Sequence, residues 1–324
     1  MTMSVINQKE WLRMIEEYLS GIEYPAAPST LYRPISYTLS GGGKRLRPML
    51  TLAACEACGG RPEQAINQAI AMEMFHNFTL IHDDVMDRSS KRRGRPTVFH
   101  RWGDVQAILS GDTLLTMAYQ RLMLNCPADR LPQVLDLFNR TSIEIYEGQQ
   151  FDTYYENRDN IAIKQYMRTI RLKTGVLLAA SCAMGALMAG APKEVVDALY
   201  EYGVNLGLAF QLRDDWLDVY GNAKELGKDI GGDIVNRKKT WLFITAMEED
   251  PTGIRDSFEL AKTRGALVSR VRRVYDRLLL SDRCNALIEK YHNRAIAAIA
   301  VADIPDNYKI WFTGLAATMA LRHS

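Results

Sequence analysis

Apolar positions recur along this chain every three to four residues, the period of an α-helix, and no stretch carries a convincing strand alternation. Trp11, Leu12, Ile15 and Leu19 mark a first amphipathic helix. Tyr24 to Pro28 break it, Ser29 or Thr30 can cap the next, and Gly41-Gly42-Gly43 ends that one. A third helix is predicted from about Arg47 to Cys58, with Pro48 tolerated in its first turn. Gly59-Gly60-Arg61-Pro62 is a turn, and a long apolar helix follows it. Arg88 to Pro96 reads as a polar, basic loop. Further helices are predicted from Gly103-Asp104 to about Asn125, Leu131 to about Tyr155, about Ile161 to Ala189, and Pro192 to Tyr220. Gly221 to Asn236 is a glycine-rich loop with Lys224, Lys228 and Asp229, and helices resume after it. With no βαβ alternation and no linker, the pattern predicts an all-α chain forming one domain over residues 1–324.

The long fourth helix runs into Leu80-Ile81-His82-Asp83-Asp84-Val85-Met86-Asp87. A helix turns about 100° per residue, so Asp83 and Asp87 share one face with Asp84 beside them. Aspartate is a poor helix-interior residue, and like charges at i,i+4 repel. The same D-D-x-x-D spacing returns in Phe210-Gln211-Leu212-Arg213-Asp214-Asp215-Trp216-Leu217-Asp218. One such cluster could be a solvated acidic face; two, each preceded by apolar helix, point to a cation. Two facing acidic helices would form an oxygen-lined cage. Mg²⁺ favours oxygen ligands, binds through one or two carboxylates and completes its shell with waters and substrate phosphates. The expected ligand is therefore a diphosphate, bridged to the protein by Mg²⁺.

Charge adds only locally. Lys and Arg number 40 against 38 Asp and Glu, so no global field suggests nucleic acid as a partner. Five cysteines imply no disulfide framework and fit a reducing cytoplasm. Cys55 and Cys58 have no second pair at zinc spacing and read as helix-core residues. The N-terminus carries Lys9, Glu10, Arg13, Glu16 and Glu17 without an apolar core, so no signal peptide is visible. The stretch from Thr174 to Pro192 approaches membrane-span length, but its Ala, Gly, Ser and Cys content predicts a tightly packed buried helix rather than a transmembrane segment.

Basic residues supply the complement. Gly41-Gly42-Gly43-Lys44-Arg45-Leu46-Arg47-Pro48 is not a P-loop, since no Ser or Thr follows the lysine and no strand precedes the glycines. Its glycines still let backbone approach an anion, and Lys44 and Arg47 flank a helix N-terminus. Arg92 and Arg93, just past the first acidic motif, offer guanidinium forks for phosphate oxygens. His76 lies seven residues before Asp83, near its face, where a phosphate contact is expected; His82 reads as structural. Lys173, Thr174, Gln211 and Lys228 would surround a reactive carbon and its leaving group.

These segments together resemble the trans-isoprenyl diphosphate synthase (polyprenyl synthetase) family. The likeness rests on GGGKRLRP at 41–48, FHNFTLIHDDVMD at 75–87, RRGRPT at 92–97, KTG at 173–175, FQLRDDWLD at 210–218 and LGKD at 226–229, in that family's order. It implies antiparallel helices around a deep central cavity, usually as a homodimer. It implies head-to-tail (1'-4) condensation of isopentenyl diphosphate with an allylic diphosphate. By that resemblance Asp83, Asp87 and Asp214 would bind three Mg²⁺ ions, with Asp84, Asp215 and Asp218 completing or supporting the shell. Lys44, Arg47, His76 and Arg93 would hold isopentenyl diphosphate. Arg92, Lys173 and Lys228 would hold the allylic substrate, Lys238 would also bind substrate, and Thr174 and Gln211 would face the developing cation. Phe78, five residues before Asp83 and beside the small Thr79, would floor the cavity and keep the product at farnesyl or geranylgeranyl length. Two departures are the absence of an insertion between Asp84 and Asp87 and the extra Phe99 before His100. A longer-chain synthase, a terpene cyclase and a non-catalytic regulatory subunit are the competing readings; two intact motifs and the Lys44–Arg47 segment speak against the last two.

Overall fold

The computed structural model describes residues 6–156, 158, 160–222 and 230–320, and 78% of the chain is helical. The helices are α1 (Gln8–Ser20), α2 (Ser29–Leu39), α3 (Leu46–Ala57), α4 (Pro62–Met86), α5 (Val98–Trp102), α6 (Asp104–Met123), α7 (Leu131–Glu156), α8 (Ile163–Ile170), α9 (Val176–Ala189) and α10 (Lys193–Tyr220). A short α11 (Gly232–Val235) precedes α12 (Trp241–Glu249), α13 (Pro251–Leu260), α14 (Arg264–Arg277), α15 (Leu280–Ala300) and α16 (Asp306–Ala320). The pattern of three and four thus survives as structure: Trp11, Ile15 and Leu19 are buried, while Leu12 is exposed.

Three local expectations are corrected. Helix α2 starts at Ser29 behind Pro28, with no side-chain capping bond. The loop after the first acidic motif holds a two-residue hairpin, β1 (Lys91–Arg92) and β2 (Arg95–Pro96), too short to leave a period in the sequence. The helix expected to open at Gly103-Asp104 does so as α6 at Asp104, with Gly103 (φ 87°) parting it from the short α5. The helix expected from Ile161 to Ala189 contains a π-helical turn at Arg171–Gly175.

Contacts group the chain into two compact units. One comprises Met1–Asn139, Ala180–Leu199 and Asp303–Tyr308; the other comprises Arg140–Ala179, Tyr200–Ala302 and Lys309–Ser324. In the first, α4 is packed by α3 and α6 and is buried on nearly every side, from Ala65 and Ile70 to Phe75, Phe78 and Ile81. An apolar helix enclosed in this way needs no polar face, until its last turn. In the second, Leu208, Leu212 and Val219 of α10 pack with Trp241, Leu242 and Tyr275. There α10 lies hard against the π-turn: a Cβ on Gly207 would sit 2.5 Å from the Gly175 Cα.

Within Ile163–Ala189 an 18-residue window has a mean hydropathy of 1.6, long and apolar enough to cross a membrane, yet 78% of that window is buried within the protein. All five cysteines are free, with Cys55 buried in α3 and Cys58 at its C-cap.

Candidate active site

The first acidic motif occupies the end of α4. Asp83 and Asp84 lie in its last turn, Asp87 is its C-cap, and that turn has no basic residue. Carboxylates therefore stand where the helix itself carries partial negative charge, which is unfavourable unless a cation joins them. Asp84 is buried, and its Oδ1 accepts from Arg92 Nε at 3.0 Å and Nη2 at 2.9 Å. Burial pushes its carboxyl above the usual range, and the Arg92 guanidinium opposes the shift. Asp83 is half-buried and Asp87 exposed.

The hairpin explains how Arg92 arrives there. Arg92 pairs with Arg95 across a turn whose central residues, Arg93 (φ 51°) and Gly94 (φ 74°), are both left-handed, as a type I′ turn requires. Arg93 Nη1 donates to the Gly42 carbonyl at 2.8 Å, latching the hairpin to the glycine turn. Asn77, Asp84, Arg92, Arg93, Gly41 and Tyr37 help to line a cleft beneath it.

The glycine turn is anchored by Arg45, which the sequence reading passed over. Arg45 is left-handed (φ 46°) and 3% exposed. Its Nε donates to Glu16 at 2.7 Å, its Nη1 to Glu73 at 2.9 Å, and its Nη2 to the Leu39 carbonyl at 2.7 Å. Lys44 is exposed on one side of this anchor. On the other, Arg47 keeps its Nε shielded from solvent without a hydrogen-bond partner. Burial draws the Arg47 guanidinium down to about 10, Glu73 opposing and Arg93 assisting. Burial first, then the charges of Arg47, Arg93, Arg92 and Arg45, hold His76 well below the usual imidazole range, so it is neutral at pH 7. The Arg47 and Arg93 guanidiniums supply positive charge and the neutral His76 imidazole one N–H donor, a group suited to an anion.

The second acidic motif is built into a hydrogen-bonded chain. Thr174 Oγ1 donates to Gln211 Oε1 at 3.0 Å, Gln211 Nε2 donates to Asp215 Oδ1 at 2.9 Å, and the Tyr166 hydroxyl donates to Asp215 Oδ2 at 2.7 Å. Asp215 and Asp218 are buried; Asp214 is half-buried. Burial pushes the Asp215 carboxyl up, opposed by the charge of Lys238 and by the bonds from Tyr166 and Gln211. Asp218 Oδ2 accepts from the Asp233 amide at 2.8 Å. Burial works against the Lys238 ammonium, but Asp215, Asp233, Asp152 and Asp218 prevail and raise it above the usual lysine range. Lys173 Nζ meets Asp152 Oδ2 at 2.8 Å.

The π-turn presents Lys173 and Thr174 together, and single π-turns inside helices recur at functional sites. Gly148 makes room for it, since a Cβ there would lie 2.7 Å from the Lys173 amide nitrogen. Asp152 and Tyr166, both missed from the sequence, are recognisable only once this turn is seen. Lys228 lies outside the described residues.

Among the described residues, no three or more His, Cys, Asp or Glu side chains form a metal cage by themselves. The donor chemistry still fits Mg²⁺: every candidate is a carboxylate oxygen, and this ion leaves most of its shell to water and phosphate.

The fold is that of the isoprenoid synthases. A crystal structure of a geranylgeranyl pyrophosphate synthase superposes with a TM-score of 0.92 and 36% identity, over 99% of this chain and 100% of that one. A geranylgeranyl pyrophosphate synthase of Geoglobus acetivorans is 41% identical over 242 residues, 74% of this chain and 76% of that protein. A (2E,6E)-farnesyl diphosphate synthase of Mycobacterium tuberculosis is 43% identical over 198 residues, 61% of this chain and 55% of its own length. The family model for polyprenyl synthetase matches residues 28–278. The chain belongs to the polyprenyl synthetase family and is a short-chain trans-prenyltransferase. Prenyl diphosphate synthases generally use Mg²⁺.

Proposed function

We propose that this enzyme condenses isopentenyl diphosphate head-to-tail (1'-4) with an allylic diphosphate, ending at farnesyl or geranylgeranyl length. The observation that supports this reading is the set Arg47, His76 and Arg93, where two guanidiniums and a buried imidazole come together at the glycine turn and offer donors to an anion. A cyclase, which ionises one substrate, has no use for a second diphosphate site. Incubation with Mg²⁺ and an allylic diphosphate should give a longer diphosphate only when isopentenyl diphosphate is added. A cyclic or unchanged-length product in its absence would overturn the proposal.

In this reading Lys44, Arg47, His76 and Arg93 hold isopentenyl diphosphate, and Arg92, Lys173, Lys228 and Lys238 hold the allylic one. Asp83, Asp87 and Asp214 would hold Mg²⁺. Asp84, Asp215 and Asp218 would support them, and a protein donor holds an oxygen of each. When bound, Mg²⁺ would neutralise the charge that gathers on the leaving diphosphate. The cationic side chains aim fixed positive charge at that same group. The Thr174 hydroxyl spends its proton on Gln211, so its oxygen presents lone pairs to an allylic cation. The departing diphosphate is the base for the final proton.

Phe78 is the proposed floor for the growing chain. It is buried, with ring centroids of Phe75 at 5.5 Å and His82 at 4.8 Å. Phe78→Ala should therefore shift the product to a longer chain by mass analysis; an unchanged product would remove Phe78 from this role.

We propose one domain, since four of the five breaks between the two contact units fall inside helices (α7, α9, α10 and α16). We propose a homodimer for a separate reason. Val105, Ile108 and Leu109 of α6 share one helix face and are 62%, 44% and 52% exposed, an apolar stripe fitted to a two-fold copy of itself. Leu109→Glu should convert the protein to a monomer in sedimentation; an unaltered mass would refute α6 as the interface. Five free cysteines and the burial of Ile163–Ala189 favour a cytoplasmic protein.

A further inference from the structure

We infer that His82 is a specificity-determining positioning residue: it braces the Phe78 ring and so sets product length without touching substrate. The inference rests on the reading of Phe78 as the floor.

His82 follows Phe78 by four residues on α4, so the two side chains meet on one helix face. Their rings are 4.8 Å apart at an interplanar angle of 65°, edge against face, the arrangement aromatic quadrupoles prefer. Phe75 reaches the same ring from the other direction along the helix, at 5.5 Å. A phenylalanine held on one side only could rotate about χ1 or χ2 when a prenyl chain presses on it. Held on both, it cannot yield without moving His82.

His82 is itself fixed from the neighbouring helix α6. Its Nε2 lies 3.2 Å from the Ile108 carbonyl oxygen and 3.7 Å from Asp112 Oδ1. Both neighbours are acceptors, so the tautomer with hydrogen on Nε2 donates to the Ile108 carbonyl, with the Asp112 carboxylate just beyond hydrogen-bond reach, and fixes the ring plane. Beneath the ring is Gly111, where a Cβ would overlap the imidazole. A carbonyl, a carboxylate and a missing side chain thus define one seat for one ring. A histidine serving only to fill space would need none of the three. Phenylalanine in that seat would keep the edge contact with Phe78 and lose only the anchoring bond.

The test compares product distributions of Phe78→Ala, His82→Ala and His82→Phe under one set of conditions, with kcat and KM for isopentenyl diphosphate measured beside them. His82→Ala should raise the ratio of longer to shorter product roughly two- to tenfold, the range spanned by one aromatic pair. His82→Phe should return the ratio most of the way to that of the parent protein. In Phe78→Ala/His82→Ala the second change should add nothing to the first. If Phe78→Ala lengthens the product but His82→Ala leaves the ratio unchanged, the brace is overturned and the floor stands. If Phe78→Ala itself has no effect, the floor falls and the brace with it. If His82→Ala lowers kcat at constant product ratio, the residue acts on neighbouring Asp83 instead, and the inference is wrong.

Discussion

Asp83→Asn and Asp87→Asn should each lower turnover by roughly a thousandfold, about the loss seen when one preorganised charge-stabilising group is removed. Neither should unfold the protein, and Asp87→Asn should slightly stabilise it. The two effects have a common origin. In the last turn and C-cap of α4 the carboxylates face the negative end of a helix with no lysine or arginine in that turn. Each such charge costs about 0.3–1 kcal/mol at an exposed helix end. Asparagine keeps the shape, removes the repulsion and is accepted at a helix C-terminus. It also removes the anionic oxygen that a hard cation needs. Turnover assays and thermal melts on the same preparations check both signs. A variant with near-normal activity would contradict the metal assignment. A variant that melts well below the parent would show that Asp87 is a structural cap rather than a site kept at the expense of stability. Chelation of divalent ions should abolish activity in the parent and leave little for either substitution to remove.

The two acidic motifs were legible because a single sequence spacing, i, i+1, i+4, is also a single helix geometry. The amphipathic helices were legible for the same reason. What escaped was decided by partners distant in sequence. Lys44, Arg45 and Arg47 look alike in a string of basic residues, yet Arg45 is the buried one, because Glu16 and Glu73 reach it from 29 and 28 residues away. Asp152 and Tyr166 gave no signal, since an isolated aspartate or tyrosine on a helix has no pattern until Lys173 and Asp215 are beside it. The π-turn at Arg171–Gly175 inserts itself into an apolar run without changing its composition. The hairpin that delivers Arg92 to Asp84 has strands of two residues, below any period. Its turn places a non-glycine residue, Arg93, in the left-handed region, where sequence would sooner place glycine or asparagine.

Arg45→Met should be the most destabilising change in the basic segment, by about 3–5 kcal/mol, the usual consequence of removing one partner from a buried pair. Arg45 and Glu73 are each 3% exposed and 2.9 Å apart, so the methionine leaves a carboxylate in the core with a hydrogen bond from the Asn77 amide at 3.3 Å and only the more distant charges of Arg47 and Arg93 to offset it. The Leu39 carbonyl loses its guanidinium donor as well. Glu16 provides the contrast: its side chain is 47% exposed, so Glu16→Ala should cost no more than about 1 kcal/mol although it touches the same guanidinium. The double variant Arg45→Met/Glu73→Met removes the stranded charge and should recover most of the loss, because a buried ion pair replaced whole by apolar volume is close to neutral. Urea unfolding of the parent, Arg45→Met, Glu73→Met and Arg45→Met/Glu73→Met measures the cycle, with Glu16→Ala beside it. A single-variant loss below about 1 kcal/mol, or no recovery in the double variant, would mean that water reaches Glu73 and that the pair is not the anchor. A second readout follows from position. Arg45 lies between Lys44 and Arg47 and holds the turn that carries both, so even the stabilised double variant should bind isopentenyl diphosphate with a raised KM. Stability restored without affinity restored would separate what this guanidinium does for the fold from what it does for the site.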